Sequence, residues 1–321
     1  MRTFRSAGPT SRSSPTGRDV IAEAATRPSG VRIWLMAARV RTLPAAIAPV
    51  LVGTALAGYL HVFHPLRFAA ALIGAMFIQI GTNLSNDYSD ARRGADTEDR
   101  LGPVRVTAGG LVPPRQVLIA TYLTFGVAVL AGVYLVVVAG WQLLLVGAAS
   151  ILAGVLYTGG PKPYGYEGLG EVFVFLFFGI VAVAGSFFVQ VKHLDWEAFA
   201  LAVPVGLIAA GLLVVNNVRD IETDRRAGKR TLAVRLGRAR TRRLFAAMIY
   251  LAYLLAPVTW VFGPLTPWLF LPWLTLPLAT RVVRVVRNRT DGLSLNQALA
   301  QTGLLQLLFC ALLAAGLLLS R

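Results

Sequence analysis

The 321 residues are 56% hydrophobic and 14% charged, a composition that excludes an ordinary water-soluble domain and points to a chain held in a lipid bilayer. The net charge of +16 would suit nucleic acid, but 28 of the 31 Lys and Arg residues fall on one side of the apolar spans described below, so the charge reads as membrane topology and no nucleic-acid partner is expected. The single cysteine, Cys310, excludes an internal disulfide and a cysteine-based metal cluster.

Residues 1–31 are rich in Arg, Ser, Pro, Thr and Gly and lack the apolar core of a signal peptide, which predicts a disordered cytosolic extension. A membrane-crossing helix needs roughly 20 mostly apolar residues, and about nine such runs follow. They lie at 42–60, 66–85, 117–138, 141–157, 171–190, 198–217, 244–262, 268–286 and 300–319, with Pro257, Pro272 and Pro277 set to kink the seventh and eighth. The expectation is an all-α, polytopic membrane protein. Only Arg67, Lys192 and Arg321 fall on the sparse side, which puts the N-terminus in the cytosol. His61, His64 and His193 share that sparse side, away from every carboxylate cluster, so histidine acid/base or zinc chemistry is not expected.

Most of the acidic residues occupy two cytosolic stretches, each following an even-numbered span. The first runs from Asn83 through Asn86, Asp87, Asp90 and Asp96 to Glu98 and Asp99; the second runs from Asn216 and Asn217 through Arg219, Asp220, Glu222 and Asp224 to Lys229 and Arg230. On a helix Asn86 and Asp90 share a face, as do Asn216, Asp220 and Asp224. Stacked like charges repel unless a cation lies between them. Short Asp/Asn sets without sulfur or imidazole suit Mg²⁺, which takes one or two carboxylates and leaves its other positions to water and phosphate oxygens. The second stretch lacks the glycine and distal glutamate of a calcium-binding EF-hand loop. Arg105 and Arg115 follow the first stretch, and Arg225, Arg226, Lys229 and Arg230 follow the second, so metal and guanidinium together describe a diphosphate site. Each stretch alone could be a solvated loop; two with the same Asn-x-x-x-Asp core argue for a site.

Between them lies Tyr157-Thr-Gly-Gly-Pro-Lys162-Pro-Tyr164-Gly-Tyr166-Glu167, on the same membrane side. Its Gly and Pro residues fit a plain turn, while its lysine and tyrosines could bind diphosphate and shield a cation with ring faces.

These stretches, with Arg41-Thr-Leu-Pro44, Gly102-Pro-Val-Arg105-Val-Thr-Ala-Gly109-Gly110 and Gly228-Lys-Arg-Thr-Leu-Ala-Val-Arg235, resemble the UbiA superfamily of intramembrane prenyltransferases over roughly residues 32–320. The flanking residues are most similar to its 1,4-dihydroxy-2-naphthoate polyprenyltransferases of menaquinone synthesis. The resemblance implies one transmembrane domain over 32–321, a bundle of nine helices with a cytosolic-side cavity, and two motifs facing each other across Mg²⁺ ions. Carried over residue by residue, the ligands are Asn86, Asp90, Asp220 and Asp224, with Asp87, Asp96 and Asn216 as close candidates. Asp96 comes six positions after Asp90, where many relatives have an acidic residue at four, and Tyr157 and Lys162 are five apart rather than four. Catalytic roles are implied for Asp87, Asp90, Asp220, Asp224, Tyr157 and Lys162, and diphosphate contacts for Arg105, Arg219, Lys229, Arg230 and Asn83.

The implied reaction joins a polyprenyl diphosphate to 1,4-dihydroxy-2-naphthoate, releases diphosphate and CO₂, and gives a demethylmenaquinone in a bacterial plasma membrane. Another acceptor, such as 4-hydroxybenzoate, chlorophyllide, haem or a sugar phosphate, would keep the chemistry and change the ring pocket. A transporter would need ionisable residues at mid-membrane depth, where the nine runs have almost none.

Overall fold

The computed structural model describes residues 29–95, 101–102, 105–262 and 266–321, and every regular element among them is helical. Most of the expected N-terminal extension, and Asp96, lie outside the described residues. In chain order the helices are α1 (Gly30–Ala38), α2 (Pro44–Tyr59), α3 (Pro65–Arg92), α4 (Pro114–Ala139), α5 (Gln142–Leu156), α6 (Gly170–Val191), α7 (Trp196–Arg226), α8 (Leu232–Leu236), α9 (Arg238–Leu255), α10 (Val258–Val261), α11 (Pro267–Asn288) and α12 (Gly292–Leu319).

Each of the nine expected apolar runs falls on helix, the seventh across the broken pair α9 and α10. Among the described residues six helices can cross a membrane by length and composition, namely α3, α4, α6, α7, α11 and α12, and a seventh is gained if the α1–α2 pair, bent by 49°, counts as one span. The nine spans expected from the sequence are therefore not all met on this criterion. The α5 helix has only 15 residues, and α9 begins with four arginines in its first six positions.

Proline sets several of these boundaries. Pro44, Pro65 and Pro114 open α2, α3 and α4, where the missing N–H is harmless and the fixed φ suits the first turn. Pro257 stands at the break between α9 and α10, Pro272 lies in the 3₁₀ start of α11, and Pro277 lies in the first turn of its α-helical part, so a helix break and a change of helix type fall at these residues. Arg39, in the left-handed region at φ 51°, ends α1 and begins the bend into α2.

The two acidic stretches differ from the loops expected. The α3 and α7 helices run unbroken for 28 and 31 residues and carry the motifs on their last turns. At 1.5 Å per residue they are about 42 and 46 Å long and outreach a hydrocarbon core of about 30 Å.

The α7 helix is the most enclosed, packing against α6, α9 and α12, while α2 packs between α6 and α12 and α3 against α4 and α5. Close approaches depend on glycine. A Cβ at Gly53 of α2 would stand 2.2 Å from the Val183 carbonyl oxygen of α6, and one at Gly179 would stand 2.6 Å from Gly206 Cα of α7. Gly179 belongs to a π-helical stretch, Phe175–Val181, that widens α6 where it passes α7. Gly53→Val is expected to destabilise the bundle by about 1–3 kcal/mol through overpacking, whereas Gly126→Ala, whose Cβ meets nothing within 4 Å, leaves the melting temperature in detergent unchanged or raised.

Candidate active site

The last turns of α3 spread their polar side chains in several directions. Asn83 donates to the Ala38 carbonyl at 3.0 Å and to Thr42 Oγ1 at 3.1 Å, and Gln79 also donates to Thr42, so both amides fasten α3 to the α1–α2 bend. Asn86 Oδ1 accepts from Thr158 Oγ1 at 2.9 Å. Both oxygens of Asp87 accept backbone N–H groups, from Val106 and Thr107, each at 3.1 Å. Asp87 thus pins the loop that carries Arg105.

Asp90 gathers three elements. Its Oδ2 accepts from Arg105 Nη2 at 2.9 Å, its Oδ1 accepts from the Tyr166 hydroxyl at 2.5 Å, and Lys229 Nζ stands 3.8 Å from Oδ1. Lys229 also lies 4.7 Å from the centre of the Tyr166 ring, within cation–π range. Tyr166 sits in a short 3₁₀ turn, Tyr164–Glu167, and Lys229 follows α7 through Gly228, whose φ of 73° suits glycine. The two loops are joined: Arg230 N–H donates to the Tyr166 carbonyl at 2.7 Å, and Arg235 donates to the Arg230 carbonyl at 3.0 Å and to Glu167 at 3.2 Å.

On α7 the Arg219 guanidinium chelates Asp220, with Nε 2.8 Å from Oδ1 and Nη2 2.5 Å from Oδ2. It also donates to Asn216 Oδ1 at 2.8 Å and to Asn296 Oδ1 of α12 at 2.6 Å, and Asn296 in turn donates to the Leu101 carbonyl at 2.9 Å.

A cavity of about 590 Å³ connects these groups, a size typical of small-molecule sites. Asn83, Asn86, Asp90, Arg105, Tyr157, Asn216, Asp220, Asp224 and Lys229 line it. Its body is apolar, walled by residues such as Val133, Val136, Leu143, Leu144, Phe177 and Phe178. One wall is an aromatic ladder: Tyr157 meets Tyr164 edge-on at 5.5 Å, and Tyr164 stacks on Phe173 at 3.9 Å. Burial pushes the Tyr164 hydroxyl above its ordinary range, so it stays protonated and donates to the Ala153 carbonyl at 2.9 Å.

Four of the expected residues do not line the cavity. Asp87 and Arg219 are buried behind it, holding the Arg105 loop and Asp220, while Lys162 and Arg230 are exposed. Reasoning from sequence missed Thr158, Asn296, Asn217 and Glu171, and gave Tyr166 no specific role. Of these, Thr158 and Tyr166 stand in the segment quoted between the two motifs and Asn217 in the second motif, which is the only signal the sequence offered for them.

The donor set facing the cavity is all oxygen, which suits a hard cation. Among the described residues no three Asp, Glu, His or Cys side chains are grouped closely enough to hold a metal by themselves. Such a set fits Mg²⁺ in company with Asn oxygens and a substrate that brings phosphate oxygens of its own.

The model of the UbiA prenyltransferase family matches residues 46–299. The chain belongs to the UbiA prenyltransferase family. It is 46% identical over 284 residues to the 1,4-dihydroxy-2-naphthoate octaprenyltransferase of Mycobacterium tuberculosis (strain ATCC 25618 / H37Rv), an alignment covering 88% of this chain and 96% of that protein. It is 38% identical to the enzyme of the same name from Escherichia coli (strain K12), with 91% and 97% covered. Among solved structures, a UbiA homolog from Archaeoglobus fulgidus bound to DMAPP and Mg²⁺ superposes with a TM-score of 0.66 at 14% identity, covering 90% of this chain and 99% of that one. The apo UbiA homolog from Aeropyrum pernix K1 gives 0.65 at 15% identity, with 86% and 97% covered. At these identities the solved structures establish the UbiA fold alone, and the protein is a multi-pass membrane protein of that fold.

Because Asp87 supplies two charge-assisted hydrogen bonds to the Arg105 loop, Asp87→Ala is expected to release it. Hydrogen exchange at Val106 and Thr107 should rise by an order of magnitude or more, corresponding to bonds of about 1.5–3 kcal/mol each.

Proposed function

We propose that the protein transfers a polyprenyl group from polyprenyl diphosphate to 1,4-dihydroxy-2-naphthoate, with loss of diphosphate and CO₂, giving a demethylmenaquinol, the hydroquinone form of demethylmenaquinone. The observation that carries this reading is a single cavity whose polar end joins the acidic turns of α3 and α7 and whose body is apolar. Two relatives of 46% and 38% identity, both named for this naphthoate transfer, support the choice of acceptor.

In this reading Asn86, Asp90, Asp220 and Asp224 would hold Mg²⁺, with Asn216 and Asp96 as further candidates. Bound there, the metal supplies positive charge to the departing diphosphate. Arg105 and Lys229 supply cationic donors beside the same oxygens, and Asn83 keeps α3 in register with α1 and α2. Arg219 orients Asp220. Asp87 acts one step further out by placing Arg105. Lys162 and Arg230, being exposed, are the cations that an arriving diphosphate meets first.

Chemically, the bond between the allylic carbon and the diphosphate oxygen breaks, and the pair of electrons leaves with diphosphate. The naphthoate ring carbon that bears the carboxylate then forms the new C–C bond, and the C–CO₂ bond gives its electrons back to the ring as CO₂ departs. Ring faces at Tyr157, Tyr164 and Tyr166 flank the polar end and can stabilise the allylic cation, while the apolar body keeps water from the reacting carbon. The excess of Lys and Arg on the side that carries both motifs supports a cytosolic orientation of that end, and of the N-terminus, in a bacterial plasma membrane.

The test is a purified, detergent-solubilised chain incubated with 1,4-dihydroxy-2-naphthoate and radiolabelled polyprenyl diphosphate, with Mg²⁺ or EDTA. Label is expected in a prenylated naphthohydroquinone, read as the quinone after oxidation in air, only with the metal, and Asp90→Asn or Asp220→Asn should lower turnover at least about a hundredfold. Transfer to a different ring alone would overturn the acceptor.

A further inference from the structure

Glu171 is a buried carboxylate that the scheme above leaves unused. It lies in the first turn of α6 and is 3% exposed. Among the described residues it forms no ion pair: Oε1 accepts from Asn217 Nδ2 at 2.9 Å, and Oε2 has no hydrogen-bond partner. Isolated carboxylates are costly to bury. A contact that merely tied α6 to α7 would be better served by two neutral groups.

What a carboxylate does that a neutral group does not is fix the sense of an amide. A carboxylate only accepts, so the nitrogen of Asn217 must face Glu171 and its oxygen must turn away. Asn217 lines the cavity. On α7 it precedes Asp220 by three residues and Asp224 by seven, so the three share one helical face. Asn216 also lines the cavity, but its oxygen already accepts from Arg219.

We propose that Glu171 is a positioning residue that holds Asn217 with its amide oxygen toward the cavity. Asn217, rather than Asn216, then joins Asp220 and Asp224 as the third oxygen donor of α7 toward a divalent cation and its diphosphate. The proposal rests on the metal-dependent reading given above.

Manganese binding tests it without turnover. The purified full chain is titrated with Mn²⁺ in the presence of inorganic pyrophosphate, and bound metal is read by electron paramagnetic resonance. Glu171→Gln, nearly the same shape but able to donate as well as accept, is expected to weaken Mn²⁺ binding about tenfold, the usual scale for outer-shell groups. Asn217→Ala should do the same. The double variant Glu171→Gln with Asn217→Asp restores a donor facing an acceptor and leaves a carboxylate oxygen toward the cavity, so affinity should return to within about twofold of the wild type.

A lower melting temperature with unchanged Mn²⁺ affinity in Glu171→Gln and Asn217→Ala would overturn the proposal and leave a structural contact. Absence of pyrophosphate-dependent Mn²⁺ binding in the wild type would instead overturn the metal reading itself, and this proposal with it.

Discussion

A carboxylate can be buried at little cost only if cationic and hydrogen-bonding groups close around it, and Asp90, 1% exposed at the end of α3, is such a group. Its partners come from three separate loops: Arg105 before α4, Tyr166 between α5 and α6, and Lys229 after α7. Among the described residues the longest regular element in these loops is the five-residue α8, and the charge at Asp90 draws all three loops to one point. Removing one partner of a buried ion pair typically costs about 3–5 kcal/mol. That is enough to couple the positions of all three loops to one another.

The second motif is arranged differently. Neighbouring residues on a helix point to different sides, yet Arg219 folds back onto Asp220 and extends past it to Asn216 and to Asn296 of α12. Asp220 is therefore oriented from behind, through a chain that also reaches the Leu101 carbonyl in the loop after the first motif. One acidic motif is held from the loops and the other from the helix bundle. The polar end of the cavity is thus fixed on two sides before any substrate arrives, the kind of preorganisation that lets charges act on a developing anion without first reorganising.

The helical runs were legible in the sequence because hydrocarbon thickness demands long apolar segments, and each of the nine runs lies on helix. Their continuation through the motifs was not, since Asn, Asp and Arg carry no apolar period to mark how far a helix goes. The stripe formed by Asn86 with Asp90 and by Asn216 with Asp220 and Asp224 was readable from spacing, and those five residues line one cavity. The work of Asp87 was not: only the folded loop shows that its oxygens face two backbone N–H groups. Arg219 and Arg105 look alike as arginines beside acidic motifs, but one braces Asp220 from behind and the other lines the cavity. Tyr166 could not be told from Tyr157 and Tyr164 until the 3₁₀ turn set which ring meets Asp90. Glu171 sits at the edge of an apolar run, where a single acidic residue reads as the end of a span.

Helix length explains why a charged site and an oily one can share a cavity. Because α3 and α7 outreach the hydrocarbon core, their last turns reach toward water and headgroups, while the preceding turns remain in the apolar layer. In the proposed reaction, a substrate with a charged head and a hydrocarbon tail would be oriented by that gradient, head toward Asp90 and Asp220 and tail toward α4 and α5. The bond that breaks is at the junction of head and tail. The proposed reaction would then put it at the junction of the two environments, beside the ring of Tyr157 and the stacked pair of Tyr164 and Phe173, where a low dielectric would strengthen the action of Arg105 and Lys229 and an apolar wall would keep water from the carbon.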